Sequence, residues 1–159
     1  MPVVKTIITD FSQDEHIVAE VTGRKPTPNF GKEFRDKIAT LITERELSQI
    51  RILPTHVLVA TYIRDRVSAN LLAAAPTKHE DRWQGKVGLV LKLGENAFES
   101  GHGIDFGNFS VGVGDFAVYR NSDGWEIGIV PFGKIEPVLC RLIPDEEVMA
   151  KVTRPELVY

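Results

Sequence analysis

A long connection between two strand patterns is the feature that most constrains this chain. Residues 64–85 separate two stretches rich in β-branched and aliphatic residues, 57–63 (VLVATYI) and 86–93 (KVGLVLKL). The connection has an apolar run, residues 71–75 (LLAAA), between charged flanks. Structureless connections of this length are uncommon in compact domains and are usually functional or disordered. An apolar run in the middle of such a segment therefore indicates docking on a partner surface.

Composition and charge exclude several classes of protein. The 159 residues, 43% hydrophobic and 26% charged, suffice for one domain with its own core. The net charge of −3 argues against attachment to nucleic acid through phosphate contacts. The single cysteine, Cys140, allows no internal disulfide. No apolar stretch approaches the ~20 residues of a membrane span, and the first residues lack a signal-peptide pattern. We expect a protein that is neither secreted nor embedded in a membrane and that binds no nucleic acid.

The chain is interpreted as an N-terminal arm, residues 1–50, followed by a strand-rich domain, residues 51–159. Many short apolar stretches separated by glycine-containing turns are typical of an all-β barrel or sandwich. The pair Asp123-Gly124 predicts a hairpin turn between a strand that ends near Tyr119 and one that begins at Trp125. The alternation of apolar residues predicts seven interior positions, namely Val57, Val59, Val87, Leu89, Leu91, Val118 and Ile127.

The arm contains one predicted amphipathic helix. Thr27 is placed to cap it, with Pro28 in its first turn. Apolar residues recur at helical spacing on one face, namely Phe30, Phe34, Ile38, Leu41 and Ile42. Packing of this face on the barrel is favoured over partner binding, but the first three of these residues form a second candidate partner-binding set.

Several sequence pieces beyond residue 50 occur in a distinctive order. They are a Leu-Pro followed by a strand (53–61), the long loop with its apolar centre, a Gly-Lys-Val that opens a strand (85–94), VGDFAVY (113–119), and CRLIPD leading to VMAKV (140–152). This order resembles the chaperonin-10, or GroES-like, family, and in particular the divergent versions encoded by tailed bacteriophages. The resemblance implies a small, partly open β-barrel that forms homo-oligomeric rings. It also implies a mobile loop whose apolar segment docks on a chaperonin, with Leu71, Leu72 and the smaller Ala73 in that position.

The sequence also departs from the family pattern. Ala69-Asn70 stands where the family has a glycine pair before the apolar segment. The excursion over residues 95–110 is longer than the corresponding hairpin of the family, and ordinary co-chaperonins have no counterpart of residues 1–50.

No combination of residues predicts an enzyme, a cofactor or a metal site. The histidines are scattered, without partners at metal-ligand spacing, at positions His16, His56, His79 and His102. Cys140 lies in a strand pattern, which predicts a buried, inert thiol. Three residues of the triad types lie too close along the chain for triad geometry, namely Ser100, His102 and Asp105. Residues 112–114 lack the third glycine of a dinucleotide motif, and the adjacent Glu146 and Glu147 would not face one another as an acid–base pair.

Two non-enzymatic functions remain open. In the first, the protein is a phage capsid-associated cement or decoration subunit whose arm and loop lie across neighbouring subunits of the major capsid protein. In the second, it is a co-chaperonin that docks a chaperonin ring through Leu71 and Leu72 and assists folding of the capsid protein. The arm favours the first. Both predict a homo-oligomer located in the virion or in the host cytoplasm.

Overall fold

The computed structural model describes residues 29–64, 66–68, 71–72, 86–101 and 103–158. These residues form a mainly β fold, which confirms the predicted fold class. Their helices and strands, in chain order, are α1 (Phe30–Leu41), α2 (Glu44–Leu47), β1 (His56–Thr61), β2 (Arg66–Ser68), β3 (Leu71–Leu72), β4 (Val87–Leu93), β5 (Phe116–Val118), β6 (Trp125–Ile129), β7 (Val138–Pro144) and β8 (Ala150–Val152). Single turns of 3-10 helix follow β7 and β8, at Asp145–Glu147 and Pro155–Leu157.

Six of the strands form one open antiparallel sheet in the order β6-β7-β1-β4-β5-β8. The predicted turn at Asp123-Gly124 is present, because the Asp123 amide donates to the Arg120 carbonyl over 3.0 Å and Gly124 has a φ of +71°. The strands that it joins, β5 and β6, are not neighbours in the sheet, so the predicted hairpin is wrong. The connection between β5 and β6, residues 119–124, is short and folded into a turn. In a flat sheet it would have to cross three intervening strands, and neighbouring strands lie ~4.8 Å apart. The sheet is therefore curled, as in a partly open barrel.

Both faces of the sheet are covered. Helices α1 and α2 cover one face and form the helix-side core, whose buried members are Phe34, Ile38, Ile42, Leu47, Leu58, Ala60, Tyr62, Val87, Leu89, Leu91, Phe116, Ile129 and Cys140. The excursion over residues 94–115 covers the other face and forms the excursion-side core, with Val57, Val59, Val90, Phe98, Val111, Ala117, Tyr119, Ile143 and Val148. Strands β1 and β4 are thus buried on both faces.

The predicted interior positions divide between these two cores. Val87, Leu89 and Leu91 are buried in the helix-side core, and Val118 and Ile127 pack against it half-buried. Val57 and Val59 lie in the excursion-side core, so their predicted orientation is wrong by one residue. The reason is that β1 is buried on both faces and is apolar at consecutive positions. Its sequence therefore has no alternation of apolar and polar residues that would indicate which side chains face which core.

A bulge in β4 connects the sheet to α2. Leu58 pairs with Lys92 and Val59 pairs with Val90, which leaves Leu91 without a directly opposed residue. Lys92 can therefore extend to the helix side, where its Nζ donates to the carbonyls of Leu47 and Ile50 over 2.9 and 2.5 Å. These hydrogen bonds engage carbonyls at and beyond the C-terminal end of α2, of which that of Leu47 also accepts from the Ile50 amide over 3.1 Å.

Helix α1 begins two residues later than a Thr27 cap would place it. Its N-cap is Asn29, whose Oδ1 accepts from the Lys32 amide over 2.9 Å. Near this end the helix closely approaches the C-terminal segment, because a Cβ on Gly31 would lie 2.8 Å from Cδ of Pro155. Glycine at this position permits that approach.

Candidate partner-binding surfaces

The connection between β1 and β4 holds the first predicted partner-binding residues. Its two ends are adjacent, because the Tyr62 amide donates to the Val87 carbonyl over 2.9 Å. Between them β2 and β3 pair antiparallel, with Leu72 opposite Arg66 and Leu71 opposite Ser68. The connection therefore contains a two-stranded ribbon with both leucines on its second strand. The third predicted residue, Ala73, lies outside the described residues.

The second predicted set lies on α1. Phe30 is half-buried, whereas Phe34 and Ile38 are buried in the helix-side core. The ring of Phe34 contacts those of Tyr62 and Phe116, with centroid separations of 5.1 and 6.3 Å. Because these two α1 residues face the sheet, they are not available to a partner in this structure, and the alternative interpretation, packing on the barrel, applies to them.

A third apolar surface surrounds β6 and was not anticipated. Large apolar side chains are exposed at the start of this strand and in the connection that follows it. We call them the β6 rim: Trp125 (78% exposed), Val130 (53%), Phe132 (49%) and Ile135 (94%). The sequence signal was the segment over residues 130–137 (VPFGKIEP), an apolar turn bounded by prolines. Val130, Phe132 and Ile135 lie within six positions of the chain, and exposed apolar residues close together mark interaction sites more often than single ones do.

Glu46 holds part of the β6 rim against α2. Its Oε1 accepts from the Phe132 amide over 3.2 Å, and its Oε2 accepts from the amide and hydroxyl of Thr43 over 2.8 and 2.7 Å. The guanidinium of Arg45 lies 4.5 Å from the centroid of the Phe132 ring. The hydrogen bonds from Thr43 have the largest effect on the pKa of Glu46 and lower it, burial opposes them, and the Phe132 amide adds a smaller lowering effect, so that the pKa falls from 4.5 to about 2.

We expect this carboxylate to make stability depend on pH. Since its pKa is lower in the folded state, its contribution is fully present above 4.5 and is lost as the pH falls from 4.5 towards 2. Glu46→Gln should therefore lower the free energy of unfolding at neutral pH, and the difference from the unmodified protein should shrink across that window. Urea titrations at several pH values measure this. The matched control is Glu136→Gln, at an exposed position in the connection between β6 and β7 that also contains Phe132. Equal pH profiles for both variants would contradict the role given to Glu46.

The residues considered for catalysis have structural roles where they are described. Burial raises the pKa of Cys140 to about 12, which keeps its thiol protonated. Ser100 Oγ donates to Asp105 Oδ1 over 3.2 Å and accepts from the Phe106 amide, which closes a turn, while His102 lies outside the described residues. The Gly112 amide donates to Asp115 Oδ2 over 2.8 Å in the turn before β5. The described part of the chain contains no group of three or more His, Cys, Asp or Glu residues suited to a metal ion.

Comparison of the sequence with protein-family models and with curated proteins finds no match. The GroES-like resemblance rests on the order of the sequence pieces described above. Among the described residues, no helix has the length and apolar character needed to cross a membrane.

Proposed function

We propose that this protein is a non-enzymatic structural subunit of a tailed-phage particle, a cement or decoration protein built on a GroES-like barrel. Its partner is the major capsid protein. The supporting observation is that the described domain carries apolar surfaces on several sides. These are the β6 rim and exposed residues next to β8, namely Met149 (67%) and Leu157 (74%), to which the sequence adds the predicted docking residues Leu71 and Leu72. A subunit wedged among neighbours on a shell contacts partners on several sides, which these surfaces would supply.

The fold is compatible with this role. The apolar residues of the β6 rim and those next to β8 are exposed outside the two cores, so they are open to contact with other chains. The family resemblance adds the expectation of homo-oligomeric assembly. Residues 1–28 add the rest of the predicted arm, which in this proposal lies across adjacent subunits.

Measurement of the protein in purified virions tests the proposal. We expect quantitative mass spectrometry to find it at a stoichiometry comparable with that of the major capsid protein. Its presence in infected-cell lysate, together with its absence from virions purified at low ionic strength, would exclude a cement or decoration role.

One observation favours a second function, that of a co-chaperonin acting in the host cytoplasm. The two adjacent leucines lie on a ribbon that joins two central strands of the sheet, β1 and β4. This is the place where the family resemblance puts a chaperonin-docking segment. In this alternative the protein assists folding of the capsid protein without becoming part of the particle.

The double substitution Leu71→Ser with Leu72→Ser distinguishes the two functions. Burial of a leucine against a partner contributes roughly 1.5–3 kcal/mol, so loss of both should weaken binding about a hundredfold or more. The sequence predicts solvated side chains in the free subunit, and its free energy of unfolding should change by less than about 0.5 kcal/mol. The matched control is Leu53→Ser with Val113→Ser, two apolar residues that are 60% and 66% exposed elsewhere on the domain.

The binding partner that is lost identifies the function. Loss of binding to capsids lacking the protein, measured by co-sedimentation, supports the structural role. Loss of binding to a chaperonin ring, with capsid binding unchanged, supports the co-chaperonin. A large loss of monomer stability would contradict both, because the leucines would then be part of the core.

A further inference from the structure

In the described part of the chain, strand β6 is an edge strand of the sheet. It is the terminal strand, and no other described strand pairs with its outer side. Its sequence, WEIGI, has neither the lysine nor the proline that natural edge strands use to prevent pairing with another chain. The opposite edge strand, β8, has only three residues and carries the exposed Lys151 at its centre. The two edges therefore differ in their capacity to pair.

The exposed apolar residues of the β6 rim lie at both ends of this strand. Trp125 is its first residue, whereas Val130, Phe132 and Ile135 follow its last residue. Antiparallel pairing of β6 with β6 of a second copy would bring the start of each strand next to the end of the other. Each Trp125 would then cover the apolar connection of the opposite chain.

We propose that two copies of this chain associate through β6 about a twofold axis, joining their sheets into one. A register centred on Ile127 places Trp125 opposite Ile129 of the second copy and Glu126 opposite Gly128. In this register the two Glu126 carboxylates do not face each other, and each is neutralised by Arg141 of its own chain at 2.8 Å. Isologous contacts require such self-complementarity.

The occupant of this edge is a second β6 rather than the β8 of a neighbour. Pairing with β8 would engage three residues and place Lys151 in the contact, whereas pairing with β6 engages all five residues of the strand. This inference is independent of the capsid or chaperonin role.

Sedimentation equilibrium of the full chain tests the association. Trp125→Lys adds the charge that protects natural edge strands at a position that is 78% exposed, so folding should be retained. We expect it to halve the assembly mass, to the chain mass of 17.7 kDa if no other contact forms. The matched control, Val113→Lys, is 66% exposed in the turn before β5 and should leave the mass unchanged. Loss of mass in the control alone, or equal masses for the unmodified chain and Trp125→Lys at every concentration, would overturn the proposal.

Disulfide trapping tests the register. Ile127 lies opposite Cys140 of β7 within one chain, so Ile127→Cys is made in a Cys140→Ala background. Only a twofold register centred on residue 127 brings the two introduced thiols together, and oxidation should then yield a covalent two-chain species. Trp125→Cys in the same background is the control, because its two copies would be four positions apart along the ladder. Equal crosslinking of both variants would show that the contact is not the one proposed, and circular dichroism checks that each variant is folded.

Discussion

Deletion of residues 1–50 is expected to abolish cooperative unfolding, whereas deletion of residues 1–28 is expected to preserve it. The sequence had suggested that residues 51–159 would fold alone, because every piece of the family resemblance lies beyond residue 50. The structure changes that expectation, because α1, its C-cap residue and α2 supply four buried members of the helix-side core, namely Phe34, Ile38, Ile42 and Leu47.

The expected loss exceeds what a small domain tolerates. Removal of one large buried side chain typically costs about 2–5 kcal/mol, and small domains unfold with only about 5–15 kcal/mol. The longer deletion removes four such side chains, uncovers Tyr62 and Phe116, and deprives Lys92 of the carbonyls of Leu47 and Ile50. The shorter deletion retains all of these contacts and the Asn29 cap of α1.

Urea titration followed by circular dichroism compares the two truncated chains with the full protein. A sigmoidal transition for residues 29–159 and a shallow, featureless change for residues 51–159 are the expected results. A cooperative transition for residues 51–159 with an unchanged midpoint would show that the helices only decorate a self-sufficient barrel.

The sequence predicted elements better than it predicted their arrangement. Helix α1 was predictable because Phe34 and Ile38 recur at helical spacing on an otherwise polar segment. The orientation of β1 was not, because neighbours that cover both of its faces remove the alternation that sets the phase. The turn at Gly124 was predictable from a local dipeptide, but the pairing of β6 with β7 depends on contacts between distant parts of the chain, which a local signal does not report.

The candidate surfaces follow the same division. Leu71 and Leu72 were identified because an apolar run between charged flanks is visible in the sequence. Trp125 was assigned to a strand, and its position at the start of an edge strand, where it is exposed, depends on the strand order. The role of Glu46 depends on Phe132, which lies far along the chain and is brought to it only by folding.

Arg141 is a buried charge next to Tyr119 of the excursion-side core. Its side chain is almost fully buried, at 4% exposure. Nη1 donates to the carbonyls of Asn121 and Asp123 over 2.7 and 2.8 Å, and Nη2 donates to Glu126 Oε1 over 2.8 Å. The guanidinium carbon also lies 5.8 Å from the centroid of the Tyr119 ring. One side chain thus fixes the connection that curls the sheet between β5 and β6.

Arg141→Met is expected to lower the free energy of unfolding by about 3–5 kcal/mol. Removal of one partner of a buried ion pair leaves the other groups without compensation. The effect should lie towards the lower end of that range, because the Glu126 side chain is 30% exposed and recovers some hydration. Arg141→Lys should restore only part of the loss, because an ammonium cannot reproduce the planar fork that contacts three acceptors.

The control for Arg141 is Arg120, which lies in the connection between β5 and β6. Arg120 pairs with Asp123 at 3.2 Å, but its side chain is 68% exposed, so Arg120→Met should cost no more than about 1 kcal/mol. Urea titrations of the three variants measure the differences, and equal losses for Arg141→Met and Arg120→Met would contradict the role given to Arg141. Because Arg141 also neutralises Glu126 on the edge strand, Arg141→Met should weaken the β6 association as well, whereas Arg120→Met should not.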